Sequence, residues 1–254
     1  QTMLSNSAGR VAVVTGSNKG IGYFIALQLG LSGLFQDIIL ACRDSALAES
    51  AVESLKAKLP SSVRVQSQSL ILGDKNSHEL FAARMQDAYG KVDCLVNNAA
   101  IAFKGSDPTP FAGQTKPTLD VNFRGTIAFT ETMLPLVKKG SDPRIVTVAS
   151  MMGRLSQVSP ELQKQFSSER LTMPELHTLM DEFEISTQDG THNGKGYSNS
   201  NYGMSKLAVI AATKIWAREN PGIAINCCCP GYCKTDMSSN RGVRDPNDGA
   251  ENAV

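Results

Sequence analysis

The 254-residue chain lacks any stretch near the roughly 18 consecutive apolar residues that a membrane span needs, so no membrane association is expected. It lacks a charge excess: the formal net charge is +1, too small to steer the whole molecule to nucleic acid or an anionic surface. It lacks a metal-site spacing. The six cysteines (42, 94, 227, 228, 229 and 233) form no Cys-x2-4-Cys pairs matched to a second pair or to histidine, and His78, His177 and His192 lie far from them in sequence. No metal is expected. Residues 1–10 carry no apolar core of a signal peptide and read as a polar lead-in. The chain opens on Gln1 rather than Met, which raises the expectation that further residues precede it. With no repeat, low-complexity tract or linker, residues 1–254 read as one domain.

What is present is an ordinary globular balance, 41% hydrophobic and 19% charged, which argues against disorder as the main state. Cys227, Cys228 and Cys229 stand together inside an apolar strand. They read as small buried thiols in a reducing, cytoplasmic compartment.

Apolar runs alternate with helical spacings along the chain. Residues 10–15, 37–42, 63–68, 92–96, 144–149 and 223–229 read as strands. Helical patterns fill the gaps: Ile21, Ile25 and Leu29 at four-residue spacing, then residues 45–59, 77–89, 118–139 and 202–219. A Pro- and Gly-bearing loop is expected at 103–117. Such alternation gives βαβ units and a doubly wound parallel sheet of the Rossmann type. A long insertion, about 154–200, separates the fifth strand from the last helix. Ser159-Pro160-Glu161 and Thr172-Met173-Pro174-Glu175 within it both have the form of a helix start.

Thr15-Gly16-Ser17-Asn18-Lys19-Gly20-Ile21-Gly22 lies between the first strand and the first helix. Gly16, Gly20 and Gly22 let the backbone turn tightly and approach a pyrophosphate at the helix N-terminus, which makes this a dinucleotide-binding turn. NAD-binding proteins usually place a carboxylate at the end of the second strand to hold the ribose hydroxyls. Here Cys42 and Arg43 stand there. Arg43 can pair with a 2′-phosphate and Lys19 can add a second charge, so the expected cofactor is NADPH. Asp44, one residue on, points away and caps the next helix in this reading.

Tyr202 and Lys206 share one face of a helix at i and i+4, and Ser150 follows the fifth strand at the sheet edge where ligands lie in open α/β sheets. A ketone receiving hydride develops negative charge on oxygen and needs a proton. An adjacent ammonium lowers a phenol's pKa, so Tyr202 serves as general acid, Lys206 as its activator and a ribose contact, and Ser150 as a hydrogen bond to the carbonyl oxygen.

These residues resemble the short-chain dehydrogenase/reductase family. Thr15-Gly16-x3-Gly20-Ile21-Gly22, Asn97-Asn98-Ala99, Asn122, Ser150, Tyr202-x3-Lys206 and Pro230-Gly231-x3-Thr235 occur in its order and spacing over nearly the whole chain. The resemblance implies that Asn98 packs beside the cofactor; Asn18, Ile21, Pro230 and Gly231 are further candidate cofactor contacts. It implies that Asn122 holds a proton-relay water below Lys206, and that Thr235 contacts the nicotinamide or phosphate side. The separation of 52 between Ser150 and Tyr202, with Ser159-Pro-Glu-Leu-Gln-Lys-Gln-Phe166, is similar to the monomeric carbonyl reductases. Their insertion covers the helix surface other members use to tetramerise, which implies a monomer acting on small-molecule aldehydes, ketones or quinones. Phe103, Lys104, Gln114, Met151 and Tyr232 are candidate pocket lining.

The chain departs from the family pattern at four points. Ile71 replaces the usual Asp that contacts adenine, with Asp74 as a substitute. Ala100 follows Asn-Asn-Ala where Gly is usual, and Tyr232 stands where these reductases tend to have Trp. The chain stops at Val254, where relatives continue through a final helix and a seventh strand, so a fragment with an open sheet edge is expected. The alternatives are a reductase or dehydrogenase of one terpenoid, alkaloid or steroid and, in another class, a non-catalytic NADP(H)-binding sensor or scaffold.

Overall fold

The computed structural model describes residues 9–254; the expected polar lead-in at 1–10 lies outside them except for its last two positions. In chain order the regular elements are β1 (Val11–Thr15), α1 (Gly20–Leu31), β2 (Asp37–Cys42), α2 (Ser45–Lys56), β3 (Arg64–Ser69), α3 (Lys75–Tyr89), β4 (Cys94–Asn97) and α4 (Phe111–Leu119). There follow α5 (Thr126–Val137), β5 (Arg144–Val148), α6 (Pro160–Ser167), α7 (Met173–Gln188), α8 (Asn201–Glu219), β6 (Ala224–Cys228) and α9 (Pro246–Ala250).

The six strands form one parallel sheet in the order β3-β2-β1-β4-β5-β6. This is the expected single doubly wound α/β domain. Period-two alternation sends successive residues to opposite faces. Val11, Val13, Ile39, Leu95, Ile145 and Ile225 pack under the helices α3, α5 and α8. Ala12, Val14, Ile38, Leu40, Val96 and Val148 pack under α1 and α2. The order reverses between β1 and β4, and crevices for ligands open at the carboxyl ends of strands around such a reversal. The strand–helix linkers that carry the candidate residues meet there.

Most element boundaries fall within two residues of the expectation, and Asp44 does cap α2, its Oδ1 accepting from Leu47 N at 3.0 Å. The stretch 103–139 differs. The loop is shorter than expected because α4 begins at Phe111 behind Pro110, and it runs through Pro117. Proline in a helix interior removes a backbone donor. Between α4 and α5 the chain widens into a π-helical turn, Asp120–Gly125, so one unbroken helix over 118–139 does not form.

The insertion is two capped helices. Ser159 Oγ accepts from Leu162 N at the start of α6, and Thr172 with Glu175 forms a reciprocal capping box at the start of α7. Leu162, Phe166, Leu176, Met180 and Phe183 bury the apolar sides of this pair in the core shared with α8. Arg124 ties α7 down by ion pairs to Asp181 (2.6 Å) and Glu184 (2.7 Å).

Among the described residues β6 is one edge of the sheet and β3 the other, and α9 and the short turn Glu251–Ala253 follow β6. The expectation of buried thiols fails for Cys227, which is exposed because its strand has a neighbour on one side only. Cys228 and Cys229 are half-buried and Cys233 is buried. No helix among the described residues is long and apolar enough to cross a membrane.

Candidate active site

The glycine turn is built for close approach. Gly16 and Gly20 have φ of 63° and 59°, the left-handed region that favours glycine. A Cβ at Gly22 would stand 2.4 Å from Asn98 Nδ2 and 2.6 Å from Gly16 O. Asn98 therefore braces the turn, its Nδ2 donating to Thr15 O (2.8 Å) and Gly16 O (3.2 Å). Thr15 Oγ1 accepts from both Asn98 N and Ala99 N at 2.9 Å, locking the ends of β1 and β4 together. Sequence reading placed Thr15 in the motif but gave it no task.

A dinucleotide phosphate fits here on three observations. The N-cap of α1 is Lys19, which supplies no side-chain cap, and the first turn holds no acidic residue, so its N–H groups remain available to an anion. The buried Cys42 stands where a repelling carboxylate would. Exposed Arg43 makes no ion pair with any described residue. Lys19 is paired within the protein. Its Nζ donates to Asp236 Oδ2 at 2.6 Å, an exposed pair that bridges the turn to the loop after β6. That loop begins at buried Pro230 and exposed Gly231 (φ 82°), and it brings half-buried Thr235 within 3.6 Å of a Cβ position on Gly20. Asn18 and Ile21 are half-buried in the same turn. Asp74 caps α3, its Oδ1 accepting from Asn76 N (2.9 Å), and Ile71 is exposed.

Ser150, Tyr202 and Lys206 come together at the carboxyl end of β5. Ser150 caps the 3-10 turn Met151–Gly153, and this turn sits tightly on α8. A Cβ at Gly153 would meet the Lys206 carbonyl carbon at 2.8 Å, and one at Gly203 would meet Gln157 Oε1 at 2.4 Å. Gln157 Nε2 donates to Met152 O (2.8 Å) and Gly203 O (3.2 Å), closing the clasp. This docking sets the Ser150 side chain beside the Tyr202 phenol, close enough to bear on its proton. Gly153, Gly203 and Gln157 were not singled out from sequence, since their role depends on a contact across 50 residues.

The electrostatics differ from the expectation in one respect. Burial pushes the Tyr202 phenol up to about 12, with the Ser150 hydrogen bond pulling the other way. Lys206 does not offset this. Its ammonium lies 5.6 Å from the centre of the Tyr202 ring and donates to Val148 O at 2.7 Å. Burial pulls Lys206 itself down to about 8. Desolvation therefore dominates both groups, each being driven toward its neutral form.

Asn122 lies in the π-helical turn, buried. Its Oδ1 accepts from Ile101 N (2.7 Å), and its Nδ2 donates to Ile101 O (2.8 Å) and Ser205 Oγ (3.1 Å). Both amide atoms are thus engaged in holding the β4–α4 loop against α8. Around the site Met151 and Tyr232 are exposed, 71% and 56%, Phe103 is half-buried, and Lys104 is exposed. Gln114 turns back to its own helix start, donating to Thr109 O at 2.7 Å.

Comparison with known proteins identifies the family. A family model described as short chain dehydrogenase matches residues 10–160 and 184–245, and the interruption falls inside the α6–α7 insertion. Human carbonyl reductase (NADPH) 1 is 38% identical over 98% of this chain and 91% of its own length, and its Macaca fascicularis counterpart is 39% identical over 96% and 89%. Among solved structures, salutaridine reductase from Papaver somniferum superposes with a TM-score of 0.87 at 28% identity, covering 96% of this chain and 93% of that one. Menthone neomenthol reductase from Mentha piperita gives 0.80 at 29%, covering 97% and 92%. The chain is an oxidoreductase belonging to the short-chain dehydrogenase family.

Proposed function

We propose that the protein is an NADPH-dependent carbonyl reductase acting on small aldehydes, ketones or quinones. The observation that carries this reading is the Ser150–Tyr202 pair, docked by the clasp between the 3-10 turn and α8 at the same sheet edge as an uncapped α1 N-terminus. When bound, NADPH supplies the hydride. Ser150 Oγ and the Tyr202 phenol hold the carbonyl oxygen, and the phenol proton passes to that oxygen as charge develops on it. The Ser150 hydroxyl, which opposes the upward push on the phenol, steadies the phenolate left behind, and Lys206, buried beside the ring, faces the ribose. Asn122 keeps Ile101 and Ser205 in register beneath it. Arg43 holds the 2′-phosphate, and Lys19 exchanges Asp236 for the same anion.

The carbonyl reductase relatives, which the chain matches over nearly its full length at 38–39% identity, support the substrate class, and their printed names support the cofactor. The two plant reductases keep a narrower reading in play, one terpenoid or alkaloid substrate, because they resemble this chain in shape as well. Intact Asn122, Ser150, Tyr202 and Lys206 weigh against a non-catalytic sensor. A panel of a quinone, an aromatic aldehyde, an isatin-type diketone, a monoterpene ketone and an alkaloid ketone, each with NADPH and with NADH, separates these readings. Turnover of the first three with a strong NADPH preference is expected. Turnover confined to one terpenoid or alkaloid selects the narrower enzyme, and cofactor binding with no turnover at all selects the sensor. The unpaired cysteines fit a reducing cytoplasm, and the insertion's burial against α8 fits a monomer.

A further inference from the structure

The first turn of α8 carries Tyr202, and the first turn is where a helix frays most readily, because its N–H groups have no intrahelical acceptors. Ser200 supplies one cap, accepting from Gly203 N at 2.9 Å. A second tie lies on the opposite side of the turn and belongs to no part of the proposed mechanism. Asn201, immediately before the proposed proton donor, is buried. Its Oδ1 accepts from Thr115 Oγ1 at 2.8 Å, and its Nδ2 donates to Phe111 O at 2.9 Å. Thr115 is fully buried on α4, and the Phe111 ring at the start of α4 stacks on His192 with centroids 5.1 Å apart. His192 in turn meets Asn199 Oδ1 at 2.6 Å, so the loop leading into α8 is gathered into the same cluster.

One helical turn further along, Asn122 Nδ2 reaches Ser205 Oγ at 3.1 Å. Asn201 and Ser205 are four residues apart, so both lie on the side of α8 that faces α4 and the π-helical turn. Tyr202 and Lys206 lie one residue on, turned about 100° toward Ser150. Two polar rungs thus set how α8 is rotated about its axis. A phenol oxygen held roughly 8 Å from that axis moves about 1 Å for a rotation of roughly 7°, and misplacement on that scale costs on the order of a hundredfold in rate.

We propose that Asn201, through Thr115 and the Phe111 carbonyl, is a positioning residue that fixes the rotational setting of α8 and so holds the Tyr202 phenol against Ser150. This rests on the reductase reading above. Apolar side chains of α8 such as Met204, Leu207 and Trp216 are buried in the core. The Thr115–Asn201 bridge adds to their packing a directional constraint that apolar contacts lack.

The test compares Thr115→Val, Thr115→Ser, Asn201→Ala and the Thr115→Val/Asn201→Ala double variant with wild type, reading kcat, KM, NADPH Kd and thermal midpoint on the full chain. Thr115→Val keeps the shape and removes the hydroxyl, while Thr115→Ser restores it. The expected result is a kcat about tenfold lower in Thr115→Val and Asn201→Ala with NADPH Kd within twofold of wild type. Thr115→Ser is expected to restore kcat, and the double variant to be no worse than either single one. Wild-type kcat in both singles overturns the proposal. So does a loss that Thr115→Ser shares, or one matched by an equal loss of NADPH binding, since each marks general destabilisation. Tyr202→Phe in the same assay tests the underlying reading. If it stays active that reading fails; if it is inactive while Asn201→Ala is normal, the positioning claim alone fails.

Discussion

Arg43 and Asn98 show what individual residues disclosed. The charge of Arg43 was legible because it follows β2 directly, and a residue in that place faces the crevice whatever the details of packing. Arg43→Ala is expected to raise the NADPH Kd about 10- to 100-fold and leave NADH binding nearly unchanged, as cofactor titration would read. Equal losses for both cofactors would remove Arg43 from the 2′-phosphate. Asn98 was legible as a site residue but not in its task, because its two bonds to Thr15 O and Gly16 O depend on the separation of two strands. Lys206 was legible as a partner of Tyr202, yet its depressed pKa was not, since burial is a tertiary property. Its folded value near 8 lies below the ordinary lysine value of 10.5, so the unfolded chain binds more protons between those limits. Stability relative to a Lys206→Met variant must therefore rise as pH goes from about 8 to 10.5, by about 3 kcal/mol in all. Denaturant titrations of both proteins at pH 7.5, 9 and 10.5 would show it. A gap that stays constant would contradict the burial argument.

Elements were legible where a single periodicity governed them, and illegible where two competed. The inner strands β1, β2 and β4 are buried on both faces, largely apolar, and announce themselves. The helix pair of the insertion was marked by Ser159 and Thr172, whose capping chemistry is local. The stretch 103–139 was misread because Pro117 normally argues against a helix, whereas packing of Thr115, Thr118 and Leu119 against the core carries α4 through it. The clasp between the 3-10 turn and α8 was invisible for a different reason: glycine in sequence does not say what approaches it. Gly203→Val should drive its side chain into Gln157 and Met152 O, lift the turn that carries Ser150 and reduce kcat at least tenfold. Steady-state kinetics at saturating NADPH would check this, and an active valine variant would show that the clasp is not needed. For the insertion, Arg124→Met leaves Asp181 and Glu184 without their cation. A thermal midpoint lower by several degrees and faster proteolysis within residues 160–190 are expected, and unchanged proteolysis would mean that apolar packing alone holds α7.

At the scale of the whole molecule, the doubly wound sheet and the convergence of five strand ends (β1, β2, β4, β5 and β6) were legible from the order of strands and motifs alone. Which surfaces remain open was not. The chain spans 89–91% of the length of the curated carbonyl reductases compared here, and its sheet ends at β6 among the described residues. With α6 and α7 burying Leu162, Phe166 and Met180 in the core shared with α8, light scattering is expected to give a monomer. A stable tetramer would mean that another surface of the molecule mediates assembly. The most direct measurement remains the chemistry itself: the decay of NADPH absorbance in a single turnover with a reducible quinone and with an aromatic aldehyde, in wild type and in Tyr202→Phe with NADPH binding verified. Rapid decay with the aldehyde in wild type, lost by at least a hundredfold in the phenylalanine variant, is the expected result. Equal decay in the two proteins would show that Tyr202 gives no proton and would contradict the assignment of the site.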